Sequence, residues 1–157
     1  MAGLWTWLLW SLDAKSYQKG TSPFAGKLRE RMVDRRLTLA NAPGHADLLG
    51  VGFTADGLPS GPSTWIDHGV LTQLAYDRFT AQAQGVQVIP TLEAPVLSVH
   101  GAACGTVQDL VKRTDRAILV TNFWYIRSVN PSDLTLTGMT RDGTFLVEKG
   151  EIVSAIK

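Results

Sequence analysis

The chain is poor in cysteine, in net charge and in long apolar runs. Cys104 is the single cysteine among 157 residues, which excludes an internal disulfide framework and a cysteine-rich zinc site. A chain without disulfides suits a reducing cytoplasm, and a cytoplasmic location is expected. Fifteen Lys and Arg stand against 14 Asp and Glu. That balance gives no general drive toward nucleic acid or an anionic membrane, and neither is expected as a partner. The most apolar stretch, MAGLWTWLLWSL at the N-terminus, is far shorter than the roughly 20 residues that cross a bilayer. It also has no basic start and no small-residue cleavage site, so it does not read as a secretory signal. Low-complexity segments are absent. So are H-E-x-x-H, G-x-S-x-G, the Walker loop and G-x-G-x-x-G, which removes the commonest readable catalytic and nucleotide-binding motifs.

What is present fits one domain, residues 1–157, with 45% hydrophobic residues to build a core. Leu4, Leu8 and Leu12 share a helical face with Trp5 and Leu9 beside them, so the N-terminus reads as a buried amphipathic helix. Trp7 and Trp10 are left over and hint at a missing partner surface. Ser22-Pro23 opens an expected helix over Ser22–Met32, weakened by Gly26. RLTLA (Arg36–Ala40) alternates and reads as a strand. Residues 41–63 hold three prolines and five glycines and form a long loop.

WIDHGVL and LVEKGEI share one shape: apolar, acid, any residue, Gly, apolar. Each predicts a tight hairpin, by turn chemistry alone. A short helix is expected near Asp77–Gln84, a strand at Pro95–Val99, and a helix over Thr106–Lys112 with Thr106 as N-cap. AILVT (Ala117–Thr121) reads as a buried strand and LTLT (Leu134–Thr137) as another, with Asp142-Gly143 as a turn. The fold class is α+β: largely antiparallel β-sheets with flanking helices.

Direct chemistry is sparse. His45, His68 and His100 lie far apart and read as surface or turn residues. Cys104 precedes a helix, but no motif names a base for it. The sharpest group is in LVTNFWYIRSVNP, where Trp124, Tyr125, Arg127 and Asn130 cluster. As a strand, Trp124, Ile126 and Ser128 face one side, and Tyr125, Arg127 and Val129 the other. Two readings stand. One is a ledge where Tyr125 and Arg127 meet an extended peptide or a carboxylate. The other is a core strand whose arginine caps the sheet through a buried ion pair. Residue chemistry favours the core strand, because aromatics are enriched in strands anyway. Arg141 and Asp142 raise the same choice.

Five segments in order, GTSPFAGKL, STWIDHGVL, LAYDRFTAQ, AILVTNFWYIRSVNP and LTGMTRDGTFLVEKGEI, resemble the C-terminal region of the TldD/PmbA family. These are metallopeptidases also called modulators of DNA gyrase. The resemblance implies a two-domain protein whose other domain carries H-E-x-x-x-H. The two histidines there bind zinc, and the glutamate is the general base. It also implies a late cysteine ligand in active members, a peptide cleft bordered by β structure, unstructured peptides as substrate, and homodimers or heterodimers of related subunits.

This chain lacks H-E-x-x-x-H, and Cys104 is not in the ligand-cysteine context. No zinc ligand carries over, and the chain alone is expected to bind no cofactor and to be inactive. It reads as a piece of a larger protein, truncated at both ends. Trp124, Tyr125, Arg127, Arg141 and Asp142 match the family motif and, with Asn130, are the substrate-cleft candidates; no catalytic residue is assigned. Trp5, Trp7 and Trp10 would face the missing domain or subunit. The alternative is a non-catalytic binding subunit that docks to a catalytic relative. Balanced charge counts against a direct DNA-binding reading of the gyrase name.

Overall fold

The computed structural model describes residues 2–101 and 105–156; the environment of Cys104 lies outside them. Among these residues the element order is α1 (Ala2–Trp10), α2 (Ala14–Gln18), β1 (Leu37–Asn41), β2 (Ser63–Asp67), β3 (Val70–Leu71), α3 (Arg78–Gln84), β4 (Pro95–Val99), α4 (Val107–Lys112), β5 (Arg116–Asn130), a 3₁₀ turn (Pro131–Asp133), β6 (Thr135–Glu148) and β7 (Glu151–Ala155). All strand pairs are antiparallel, so the α+β class with antiparallel sheets holds. The chain groups into two compact units. One comprises Leu8–Ala102 with Pro131–Leu134, and the other Met1–Trp7, Ala103–Asn130 and Thr135–Lys157.

The first unit is built on a sheet of order β3-β2-β1-β4. Its core gathers Leu12, Phe24, Leu39, Trp65, Ile66, Leu71 and Leu74, all buried. The hairpin read from WIDHGVL is present: Ile66 pairs with Leu71 and Asp67 with Val70. His68 and Gly69 both have positive φ, +44° and +83°, the pattern of a turn that matches strand twist. Gly69 is fixed by more than its φ. A Cβ there would run into the carbonyl oxygens of Val33 and Asp34. Gly69 N–H donates to Leu37 O at 2.8 Å, and its own carbonyl accepts from Met32 N at 2.7 Å.

Asn41 closes the long loop. Its buried side chain donates to Ser60 Oγ (3.0 Å) and Gly61 O (2.8 Å) and accepts from the N–H groups of Glu93 (3.1 Å) and Ala94 (2.9 Å). A buried amide thus meets its full hydrogen-bonding capacity. Helix α3 is capped by Asp77, whose carboxylate accepts from Thr80 N at 2.6 Å, and is ended by left-handed Gly85. The Thr80 backbone N–H holds the Asp77 carboxyl below its usual range.

The second unit is the sheet β5-β6-β7 with α4 against β7. The LVEKGEI hairpin is present, with Lys149 and Gly150 at φ +50° and +83°. Thr106 caps α4 as expected, in a reciprocal pair with Asp109. Hydrogen bonding from the Thr106 N–H holds the Asp109 carboxyl below its usual range.

Four expectations are corrected. Ser22–Met32 is a series of turns rather than a helix. The buried Ser22 hydroxyl donates to Ser11 O at 2.7 Å and accepts from Phe24 N, while Gly26 and Arg29 sit at φ +74° and +73°, which no helix tolerates. Helix α1 is apolar around its circumference rather than amphipathic, with Thr6 its one polar residue. It stops at Trp10, so Leu12 is buried from beyond it. Ala117–Thr121 belongs to a much longer strand and is mostly exposed or half-buried. Asp142-Gly143 makes no turn: it lies inside β6, as a bulge.

Candidate substrate ledge on strands β5 and β6

The long β5–β6 pair is interrupted where the candidate residues lie. Val120 pairs with Thr144 and Asn122 with Arg141, so Asp142 and Gly143 of β6 oppose Thr121 alone. Asp142 takes φ +67°, a left-handed conformation that Asp tolerates better than most residues. Thr121 Oγ1 braces the bulge against the carbonyls of Arg141 (3.2 Å) and Gly143 (3.0 Å). A Cβ on residue 143 would lie 2.6 Å from the Phe145 ring, so a larger residue there would have to displace that ring.

A second bulge follows. Trp124 pairs with Met139 and Arg127 with Thr137, so Tyr125 and Ile126 of β5 oppose Gly138 alone. Tyr125 sits at φ +55°, an uncommon conformation for an aromatic residue. Bulges of this kind twist a strand locally and re-aim its side chains.

The side chains form a continuous row. The Arg127 guanidinium lies 4.8 Å from the centroid of the Tyr125 ring. Tyr125 and Trp124 meet at 5.9 Å with a tilt of 57°. The Arg141 guanidinium lies 4.4 Å from the centroid of the Trp124 ring. Arg141 Nε is 3.4 Å from Asp142 Oδ1, and Asn122 Nδ2 donates to Asp142 Oδ2 at 2.9 Å. Five of the six candidates are therefore brought together: Arg127, Tyr125, Trp124, Arg141 and Asp142. Asn130 is not among them; it ends β5, paired with Thr135.

The row is open to solvent, with Trp124 45% and Tyr125 58% exposed. Among the described residues the segment is not a buried strand: Arg127 is exposed and lies over the Tyr125 ring, and the Arg141–Asp142 pair of the same row is about half exposed. Residue chemistry missed Asn122 and the paired bulges. Their roles come from cross-strand register, which leaves no local signal.

The three histidines belong to the first unit. His68 and His100 stack at 4.9 Å. His68 Nδ1 is 2.7 Å from Asp67 Oδ1 and His100 Nε2 is 3.0 Å from Thr38 Oγ1. His45 instead bonds Asp47 N at 3.2 Å. In the first unit a cleft of about 210 Å³ is lined by Asp13, Asp56, Asp77 and Glu93 with Lys15. Two of these carboxylates, Asp13 and Asp77, are already engaged as helix caps.

Among curated proteins none matches the chain. Solved structures do, among them these three. A candidate modulator of DNA gyrase from Bacteroides thetaiotaomicron is 24% identical with a TM-score of 0.78, covering 99% of this chain and 35% of that one. TldE from Thermococcus kodakarensis is 22% identical with a TM-score of 0.80, covering 98% and 37%. A candidate DNA gyrase modulator from Thermotoga maritima is 21% identical with a TM-score of 0.68, covering 93% and 35%. At these identities the likeness is one of fold, and the chain spans little more than a third of the length of these proteins. The family model described as the PmbA/TldA metallopeptidase C-terminal domain matches residues 1–157, so the chain belongs to the TldD/PmbA metallopeptidase family through its C-terminal domain.

Proposed function

We propose that the β5–β6 row forms one wall of the peptide cleft of a TldD/PmbA-type zinc metallopeptidase, and that this chain by itself does not cleave peptides. The observation that carries the reading is the exposed, contiguous order Arg127–Tyr125–Trp124–Arg141. Aromatic rings with guanidinium groups held against them are the side chains that dominate recognition surfaces. They cost little conformational entropy to present, which suits an unstructured peptide that must itself be ordered on binding. In this reading the chain's work is to hold and orient substrate.

Zinc, which the family's metallopeptidase chemistry implies, does not fit the described residues: no three His, Asp or Glu side chains among them converge to hold a metal ion. No described residue is assigned a metal-binding role.

Location in the cytoplasm and pairing with a related subunit belong to the same proposal. Among the described residues no helix is long and apolar enough to cross a membrane. An open apolar groove of about 440 Å³ runs between α4 and the sheet, lined by Val107, Val111, Leu119 and Ile152. Ile118 and Val153 of the same sheet are also exposed, 61% and 50%. Such surface favours a covering protein neighbour.

The test is Arg141→Ala in the protein that carries this domain together with the family's metal motif. Cleavage of an unstructured peptide should fall about fivefold, the loss expected when one recognition contact worth roughly 1 kcal/mol to the bound peptide is removed. The unfolding midpoint should barely move, because the exposed Arg141–Asp142 pair adds little stability. Equal losses of activity and stability would contradict the cleft reading.

A further inference from the structure

The two arginines of the row differ in one respect that bears on what it binds. Arg141 is answered within the protein: Asp142 lies 3.4 Å from its Nε, and Asn122 fixes the other carboxylate oxygen. Arg127 is not answered in this way. Its guanidinium lies over the Tyr125 ring, and among the described residues no carboxylate pairs with it. A guanidinium laid on an aromatic face keeps its N–H groups in its own plane. Those in-plane donors form a fork that matches a carboxylate, and Arg127 is exposed.

The platform under Arg127 is held in place by the fold. Tyr125 occupies a left-handed conformation that an aromatic residue adopts only when its surroundings impose it. Here the imposing feature is the bulge opposite Gly138. The space there is tight: a Cβ on residue 138 would lie 3.3 Å from Trp124 O and 3.4 Å from Ile126 Cα. Backbone strain, an exposed ring and an unanswered guanidinium therefore coincide within three residues.

We propose that Arg127, laid against Tyr125, is a carboxylate-recognition site that reads one acidic group on the bound peptide. This deepens the cleft reading and rests on it. The carboxylate has two possible sources, the peptide's own C-terminus or an Asp or Glu side chain, and both present the same two-oxygen acceptor to the fork.

The test uses the protein carrying this domain and one unstructured peptide sequence in three fluorescent forms. The first ends in a free acid, the second in an amide with no acidic residue, and the third in an amide with a central Glu. Binding is followed by anisotropy for the wild type, R127Q and R127K. One of the two acidic forms should bind about tenfold tighter than the neutral amide, as expected for a charge-assisted pair at an exposed site. Whichever form is favoured identifies the source. R127Q should bring that form down to the affinity of the neutral peptide, and R127K should keep only part of the preference.

Equal binding of all three forms by the wild type, or a preference that survives R127Q, would overturn the carboxylate site and leave the ledge standing. A full preference in R127K would assign it to charge alone and overturn the geometric claim. Failure of all three peptides to bind would overturn the ledge and this site together. Circular dichroism of each variant checks that the fold is retained, and Arg127 is exposed enough for this to be expected.

Discussion

Replacing Trp124 by alanine is expected to weaken peptide binding about thirtyfold while leaving the unfolding midpoint nearly unchanged. The indole is the centre of the row: Tyr125 packs beside it and Arg141 lies over it. Its loss removes one aromatic contact surface and frees two neighbours. A central aromatic anchor of a recognition surface typically contributes about 2 kcal/mol, which is roughly thirtyfold in affinity. Stability should change by less than about 1 kcal/mol, since Trp124 is 45% exposed and surface substitutions are mild. Isothermal titration and thermal unfolding on the same preparation separate the two quantities. A large drop in stability with unchanged peptide affinity would show that Trp124 serves the sheet rather than a ligand.

The opposite pattern is expected at Trp65. It is 1% exposed, packed among Leu12, Leu39, Ile66, Leu71 and Leu74, with its Nε1 donating to Ser63 Oγ at 3.1 Å. Trp65→Ala should lower stability by about 3–5 kcal/mol, the usual cost of emptying a large aromatic site that cannot fully collapse. That is a large fraction of the roughly 5–15 kcal/mol that holds a domain folded. Denaturant unfolding should show a lower midpoint, and Trp65→Phe should recover part of the loss. Near-wild-type stability of the alanine variant would contradict the assignment of this core.

Local chemistry was readable wherever a few neighbouring residues decide the outcome. His68-Gly69 and Lys149-Gly150 form their hairpins because glycine takes positive φ freely. Asp77 and Thr106 cap their helices because their side chains reach the N–H three residues on. What could not be read depends on partners far along the chain. Asp142-Gly143 has the chemistry of a turn, and the same dipeptide becomes a bulge once Thr121, some 20 residues away, braces both flanking carbonyls. Ser22 looked like an N-cap, yet its hydroxyl is claimed by Ser11. Asn41 gave no signal at all, because its four partners lie 19 to 53 residues away.

The candidate site shows the same division. Its residue types were visible in FWYIR, but a run of aromatics is as much a core signature as a binding one. Exposure is what separates the two in this chain, and it follows from the sheet and its two bulges rather than from the residues themselves.

The central claim is that peptide lies on the β5–β6 row, and hydrogen exchange on the protein carrying this domain tests it most directly. On adding a saturating unstructured peptide, amide protection is expected within residues 121–130 and 136–143. The His68 hairpin and the Asp77 cleft should be unaffected. Protection confined to those other places, with the β5–β6 amides unchanged, would contradict the account.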